Sequence, residues 1–120
     1  MDLGLSGRTY IVTGGTRGLG RATAEALVAD GANVVVSSRS QESVDAAVDA
    51  LGPQAIGIAA DNADEDTAAA LVATAQEHFG GLHGALISVG GPPATSVTDT
   101  TDAQWRDAFE SVFLGGVRLA

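Results

Sequence analysis

Apolar positions along the chain follow two alternating rhythms. Short runs of consecutive, mostly β-branched apolar residues give way to longer alanine-rich stretches in which apolar residues recur every three or four positions. The first rhythm suits strands buried in a sheet, and the second suits helices lying on one. A strand is predicted from Thr9 to Thr13, then a helix from Arg17 to Asp30 with Ala22, Ala26, Leu27 and Ala29 facing inward, ended by Gly31. A second strand, Asn33 to Ser37, leads through the N-cap Ser40 to a helix from Gln41 to Leu51, with Val44, Ala47, Val48 and Leu51 at helical spacing. Gly52-Pro53 breaks the chain before a third strand, Ala55 to Ala60, apolar enough for burial on both faces. The third helix runs from Glu65 to Phe79 with Asp64 as its cap, presenting Ala68, Leu71, Val72, Ala75 and Phe79 to the sheet. Gly80-Gly81 stops it, Gly84 to Ser88 forms strand four, and Gly90-Gly91-Pro92-Pro93 opens a loop. The last helix starts near Thr101 or Asp102 and carries Trp105, Phe109, Val112 and Phe113 on one side.

Four βα units in succession feed a doubly wound parallel α/β sheet of the Rossmann type, and right-handed crossovers place the strands in the order 3-2-1-4. The turn after the first strand, Thr13-Gly14-Gly15-Thr16-Arg17-Gly18-Leu19-Gly20, then becomes the main chemical feature. Glycines there let an anion approach the main-chain N–H groups at the start of the next helix, where about half a positive charge favours phosphate. Arg17 and Arg21 add formal charge beside it. An ordinary glycine-rich βα turn is the alternative, but the strand before and the helix after supply the context that dinucleotide binding requires.

A Thr-Gly pair, three residues, Gly, one residue and Gly differs by one residue from the commoner dinucleotide fingerprint, and in this it resembles the short-chain dehydrogenase/reductase family. The resemblance extends over the whole chain. Gly31-Ala32-Asn33 matches the family's entry to strand two, Asp61-Asn62 its acidic pair after strand three, Ile87-Ser88-Val89-Gly90 its Asn-Asn-Ala-Gly, and Trp105 to Leu119 its fourth helix. It implies that Asp61 accepts from the adenine amino group, that the Asn62 N–H reads the ring and that Gly90 lets the ribose approach strand four. For Asp61, a cap or turn role at the strand end stands as the alternative. Two positions depart from the pattern: Ile87-Ser88 replaces Asn-Asn, and Val112 falls where many members carry an active-site Asn, which points to a divergent branch with a different relay, a member whose catalysis is weak or lost being the alternative. Gly90-Gly91-Pro92-Pro93 still reads as an active-site loop.

The end of strand two decides which nucleotide is expected. An acidic side chain there would bond a free ribose 2′-OH, but Ser37-Ser38-Arg39 stands in its place. Arg39 and Ser38, with Arg17 from the glycine turn, make a positive pocket for a 2′-phosphate, so NADP(H) is expected over NAD(H). A solvated loop arginine is the alternative for Arg39. The expected cofactor-binding residues are therefore Gly14, Thr16, Arg17, Gly18, Leu19, Gly20, Ser38, Arg39, Asp61, Asn62 and Gly90.

Composition narrows the chemistry further. The chain has 120 residues, one domain's worth, and no lysine. Its single tyrosine, Tyr10, lies in the first strand. The family's Ser and Tyr-x-x-x-Lys acid–base group therefore cannot be assembled from these residues, and no catalytic residue is assigned. The expectation is a cofactor-binding half of an oxidoreductase that moves hydride between nicotinamide and a carbonyl or alcohol, without its catalytic second half. The alternatives are a nucleotide-binding module without turnover and a self-assembling structural fragment. Fifteen Asp and Glu against six Arg, a formal charge of −9, disfavour nucleic acid and anionic membranes as partners. No apolar run approaches the roughly twenty residues of a membrane span, and no secretion signal is evident at the N-terminus. Without cysteine there is no disulfide or thiolate metal site, and a cytoplasmic setting is expected. His78 and His83 read as helix-end and strand-start residues, and no metal site is expected. An open strand-four edge and an aromatic helix face predict self-association, or association with a missing second half.

Overall fold

The computed structural model describes residues 1–91 and 94–120. Strands β1 (Thr9–Thr13), β2 (Asn33–Ser38), β3 (Ala55–Ala59) and β4 (Gly84–Leu86) form one parallel sheet in the order β3-β2-β1-β4. Helices α1 (Gly18–Ala29), α2 (Gln41–Leu51) and α3 (Thr67–Phe79) connect them. After β4 the chain continues to α4 (Asp102–Ala108), a π-helical stretch (Phe109–Leu114) and α5 (Gly115–Leu119), which follow one another without a break. Pro92-Pro93, part of the expected active-site loop, lies outside the described residues.

Side chains alternate across the sheet, and each face has its own core. Val12, Val34, Val36 and Ala55 pack with Ala24 and Leu51 from α1 and α2, while Ile11 and Val35 pack with Leu71 and Ala75 from α3 on the opposite face. Burial on both sides is found in β1 and β2, where Val34, Val35 and Val36 are fully enclosed. The burial on both faces expected of the third strand is not found: β3 is an edge, and Ile56 and Ile58 are only half-buried.

Several local expectations shift. The inward face of α1 is not Ala22, Ala26 and Ala29, which are exposed; it runs through Gly20 and Ala24 to half-buried Leu27 and Val28. Helix phase is set by Gly20, which seats its backbone against Gly14, where any β-carbon would overlap the Gly14 carbonyl oxygen. Helix α3 starts at Thr67 rather than Glu65, with Asp66 at the cap position and no side-chain cap bond from it or from Asp64. Thr67 instead donates its hydroxyl to the Asp61 carbonyl. Ladder pairing of β4 ends at Leu86, two residues short of the expected Ser88. His83 is a strand-start residue: its N–H donates to the Thr9 carbonyl, and its Nδ1 accepts the Thr9 N–H at 3.0 Å.

Candidate functional site: the cleft at the β1–β4 switch point

Because β1 lies between β2 and β4 while the chain runs 1-2-3-4, a crevice opens at the carboxyl ends of β1 and β4, where successive crossovers diverge. Thr13, the last residue of β1, holds this end together. Its Oγ1 accepts the Ser88 N–H at 2.8 Å and donates to the Ser88 carbonyl at 3.0 Å. A hydroxyl from β1 thus continues the β1–β4 connection beyond the ladder, at the point where Ile87-Ser88 departs from the family's Asn-Asn.

Beyond Thr13 the chain turns through Gly14 at φ 61° and reaches Gly18 at φ 60°, left-handed conformations that side chains disfavour. A β-carbon on Gly14 would come 3.0 Å from the Ser88 carbonyl, whereas one on Gly18 would meet nothing within 4 Å. Gly18 therefore borders open space. Arg17 caps α1 in an extended conformation without a side-chain bond to the helix, and the first turn contains no acidic residue. The leading N–H groups of α1 have no acceptor within the helix and leave a partial positive charge at the cleft edge.

The cleft holds about 480 Å³ and is lined by parts of every loop at this end of the sheet. Of the residues expected from sequence, it brings together Gly14, Thr16, Arg17, Gly18, Ser38, Arg39, Asp61, Asn62 and Gly90. It does not include Leu19, whose side chain is 86% exposed, or Gly20, which is buried beneath Gly14. Arg21, expected to add charge, is paired instead with Glu25 at 2.9 Å along α1. Arg17 and Arg39 are exposed, and among the described residues neither has an ion-pair partner. Both guanidinium charges are therefore available to an anion.

The walls are polar in different ways. At the end of β2, the Ser38 hydroxyl accepts the Ser40 N–H at 3.3 Å, and Ser40 Oγ accepts the Ser43 N–H at 3.2 Å to cap α2. Asp61 takes the turn role raised as its alternative, since its Oδ1 accepts the Ala63 N–H at 2.9 Å, and it lines the cleft as well. Ser43 and Ser111 also line the cleft. Ser43 was within reach of sequence reasoning, being three residues past the cap Ser40. Ser111 was not, because its place depends on the π-helical stretch that carries it. Val112, one residue on, is 37% exposed and absent from the lining.

The family model described as short chain dehydrogenase matches residues 8–120. The chain belongs to the short-chain dehydrogenase family. A 2,5-dichloro-2,5-cyclohexadiene-1,4-diol dehydrogenase of Sphingobium indicum is 49% identical over 90 residues, covering 75% of this chain and 36% of its own. An NADP-dependent (R)-specific alcohol dehydrogenase of Lentilactobacillus kefiri is 36% identical over 115 residues, covering 94% of this chain and 45% of its own. The crystal structure of L-sorbose reductase from Gluconobacter frateurii complexed with NADPH and L-sorbose superposes with a TM-score of 0.92 at 28% identity, covering all of this chain and 47% of that one. This short-chain dehydrogenase chain thus spans less than half the length of these relatives. Members of the family are oxidoreductases that bind a nicotinamide cofactor. The four-stranded order and the glycine turn after β1 agree with that membership.

Proposed function

We propose that this chain is the NADP(H)-binding portion of a short-chain dehydrogenase that transfers hydride between nicotinamide and a carbonyl or alcohol. The observation that carries the choice of nucleotide is the pair of guanidiniums, Arg17 and Arg39, at the cleft, without an ion-pair partner among the described residues, with serines where an acid would select a free 2′-hydroxyl. In this reading the main chain of Gly14, Thr16, Gly18, Leu19 and Gly20 surrounds the diphosphate. Arg39, Ser38 and Arg17 hold the 2′-phosphate, Asp61 and Asn62 face the adenine, and Gly90 admits the ribose. The L. kefiri relative's NADP dependence and the NADPH in the L-sorbose reductase complex support the same choice.

The nicotinamide, when bound, supplies or receives the hydride. These residues grip its phosphates and orient the base; they hold no acid–base group for the substrate. Tyr10 is half-buried in β1, its ring against Gly84, and these residues include no lysine to pair with it. That favours, as a second reading, nucleotide binding without turnover, or a structural fragment that assembles with copies of itself or with a catalytic half. A cytoplasmic setting belongs to the same proposal and is compatible with a chain that has no cysteine; no described helix is long and apolar enough to cross a membrane.

Fluorescence titration with NADPH and NADH tests the assignment. NADPH is expected to bind at least tenfold more tightly. Arg39→Asp is expected to weaken NADPH about 10–100-fold, the scale of a lost charge-assisted contact, and to spare NADH. Tighter binding of NADH by the unaltered chain, or indifference to Arg39→Asp, overturns the nucleotide choice. Catalytic turnover of NADPH with a carbonyl by these residues alone would exclude the second reading.

A further inference from the structure

The β3–α3 loop that carries Asp61 and Asn62 is held from outside the cleft by the last helix. Arg118 Nη1 donates to the Ala63 carbonyl at 3.0 Å and to Glu110 Oε2 at 3.1 Å. Ala63's own N–H donates to Asp61 Oδ1 at 2.9 Å. Two hydrogen bonds through one residue therefore connect a guanidinium on α5 to a carboxylate lining the cleft. Gly115, buried one turn earlier, lies flat against the same loop: a β-carbon there would overlap the Asn62 carbonyl oxygen and fall 2.9 Å from its carbon. Of the loop's other bonds, the Ala60 N–H to the Ser38 carbonyl ties its first residue to β2, the Asp64 N–H to the Asp61 carbonyl is internal, and Thr67 Oγ1 to the Asp61 carbonyl ties it to the start of α3, so none of them reaches Ala63.

We propose that Arg118 is a positioning residue for base recognition, holding the Asp61–Ala63 loop at the distance from which Asp61 reads the exocyclic amino group of adenine. The inference rests on the nucleotide reading above and goes beyond it, because Arg118 lies outside the cleft. Its charge is already partnered by Glu110, so its contribution is geometric. With Oδ1 engaged by Ala63, the second Asp61 oxygen is the acceptor left for the base. Releasing Ala63 frees the carboxylate to rotate and the loop to move away from Gly115.

The test compares NADPH with its hypoxanthine analogue, in which a carbonyl replaces the adenine amino group, binding each to the 120-residue chain by fluorescence and recording the thermal midpoint of each variant. The unaltered chain is expected to favour NADPH by about tenfold, the scale of one hydrogen bond to a charged acceptor. Arg118→Ala is expected to bring that ratio close to one. Arg118→Lys, still able to donate to the Ala63 carbonyl, is expected to restore much of it. Gly115→Ala displaces the same loop without touching the charge and is expected to compress the ratio as well. A purely structural role would weaken both nucleotides equally and lower the midpoint. That outcome, or a ratio that Arg118→Ala leaves unchanged, overturns the proposal. Absence of saturable NADPH binding to the unaltered chain would sink the nucleotide reading and this inference together, whereas tight binding without base discrimination would sink this inference alone.

Discussion

Gly20 and Arg39 illustrate two kinds of residue in the cleft region. Gly20 does not line the cleft, yet it sets the phase of the helix whose N-terminus does, because only a residue without a β-carbon fits beneath Gly14. Its obstacle is a backbone carbonyl in a tight turn, which cannot swing aside as a side chain can. Gly20→Ala is therefore expected to cost about 3 kcal/mol, at the upper end of ordinary overpacking, read as a lower urea midpoint with an unchanged slope. Arg39 is the opposite case, exposed and dispensable for folding, so Arg39→Asp is expected to leave that midpoint within about 0.5 kcal/mol while changing nucleotide preference. The glycine spacing was legible from sequence, but the division of labour within it was not. Gly14 and Gly18 shape the turn, while Gly20 serves packing.

At the scale of elements, the strands and helices of the sheet were legible because their apolar rhythm and stop signals agree. Gly31, at φ 88°, ends α1, and Ser40 caps α2 as read. What misled was any feature decided by another element. Alanines are distributed around α1 and give its apolar pattern no clear phase, and Asp64 has the residue type and place of a cap although Thr67 takes over the local bonding. The last helix has a strong start: Thr101 Oγ1 accepts the Gln104 N–H at 3.2 Å, and Gln104 Oε1 accepts the Thr101 N–H at 2.9 Å. Thr101→Ala is expected to cost about 1 kcal/mol and to speed amide exchange through α4. Nucleotide affinity should hold, because α5 is anchored separately through Gly115 and Arg118. Loss of nucleotide binding in that variant would show that the two ends of this helical run are not independent.

Over the whole molecule, β1 and β2 are covered on both faces, whereas β4 at one edge of the sheet leaves Ala85 and Leu86 exposed. Trp105, Phe109, Phe113 and Val117 follow one another at four-residue spacing and stay more than half exposed, with Phe109 and Phe113 stacked at 5.2 Å. An apolar surface of this kind, on a chain covering less than half of its relatives' length, is expected to drive association. Sedimentation velocity should give a coefficient that rises with concentration. Phe113→Glu should abolish that rise and leave NADPH affinity intact, since Phe113 lies outside the cleft lining. A concentration-independent monomer would remove the expectation of self-association.

Sequence alone determined the α/β class, the strand order and most of the residues gathered at the cleft. Each of these follows from short-range signals: apolar period, glycine and proline punctuation, handed crossovers, and residue types at the ends of strands. Tertiary structure decided what depends on contacts between segments distant along the chain. It placed Gly20 under Gly14, tied β1 to Ser88 through a threonine hydroxyl, turned Ser111 rather than Val112 into the cleft, and clasped the Asp61 loop with Arg118. A side chain's partners across such distances are fixed by how the elements pack, and no local pattern of residues encodes that geometry.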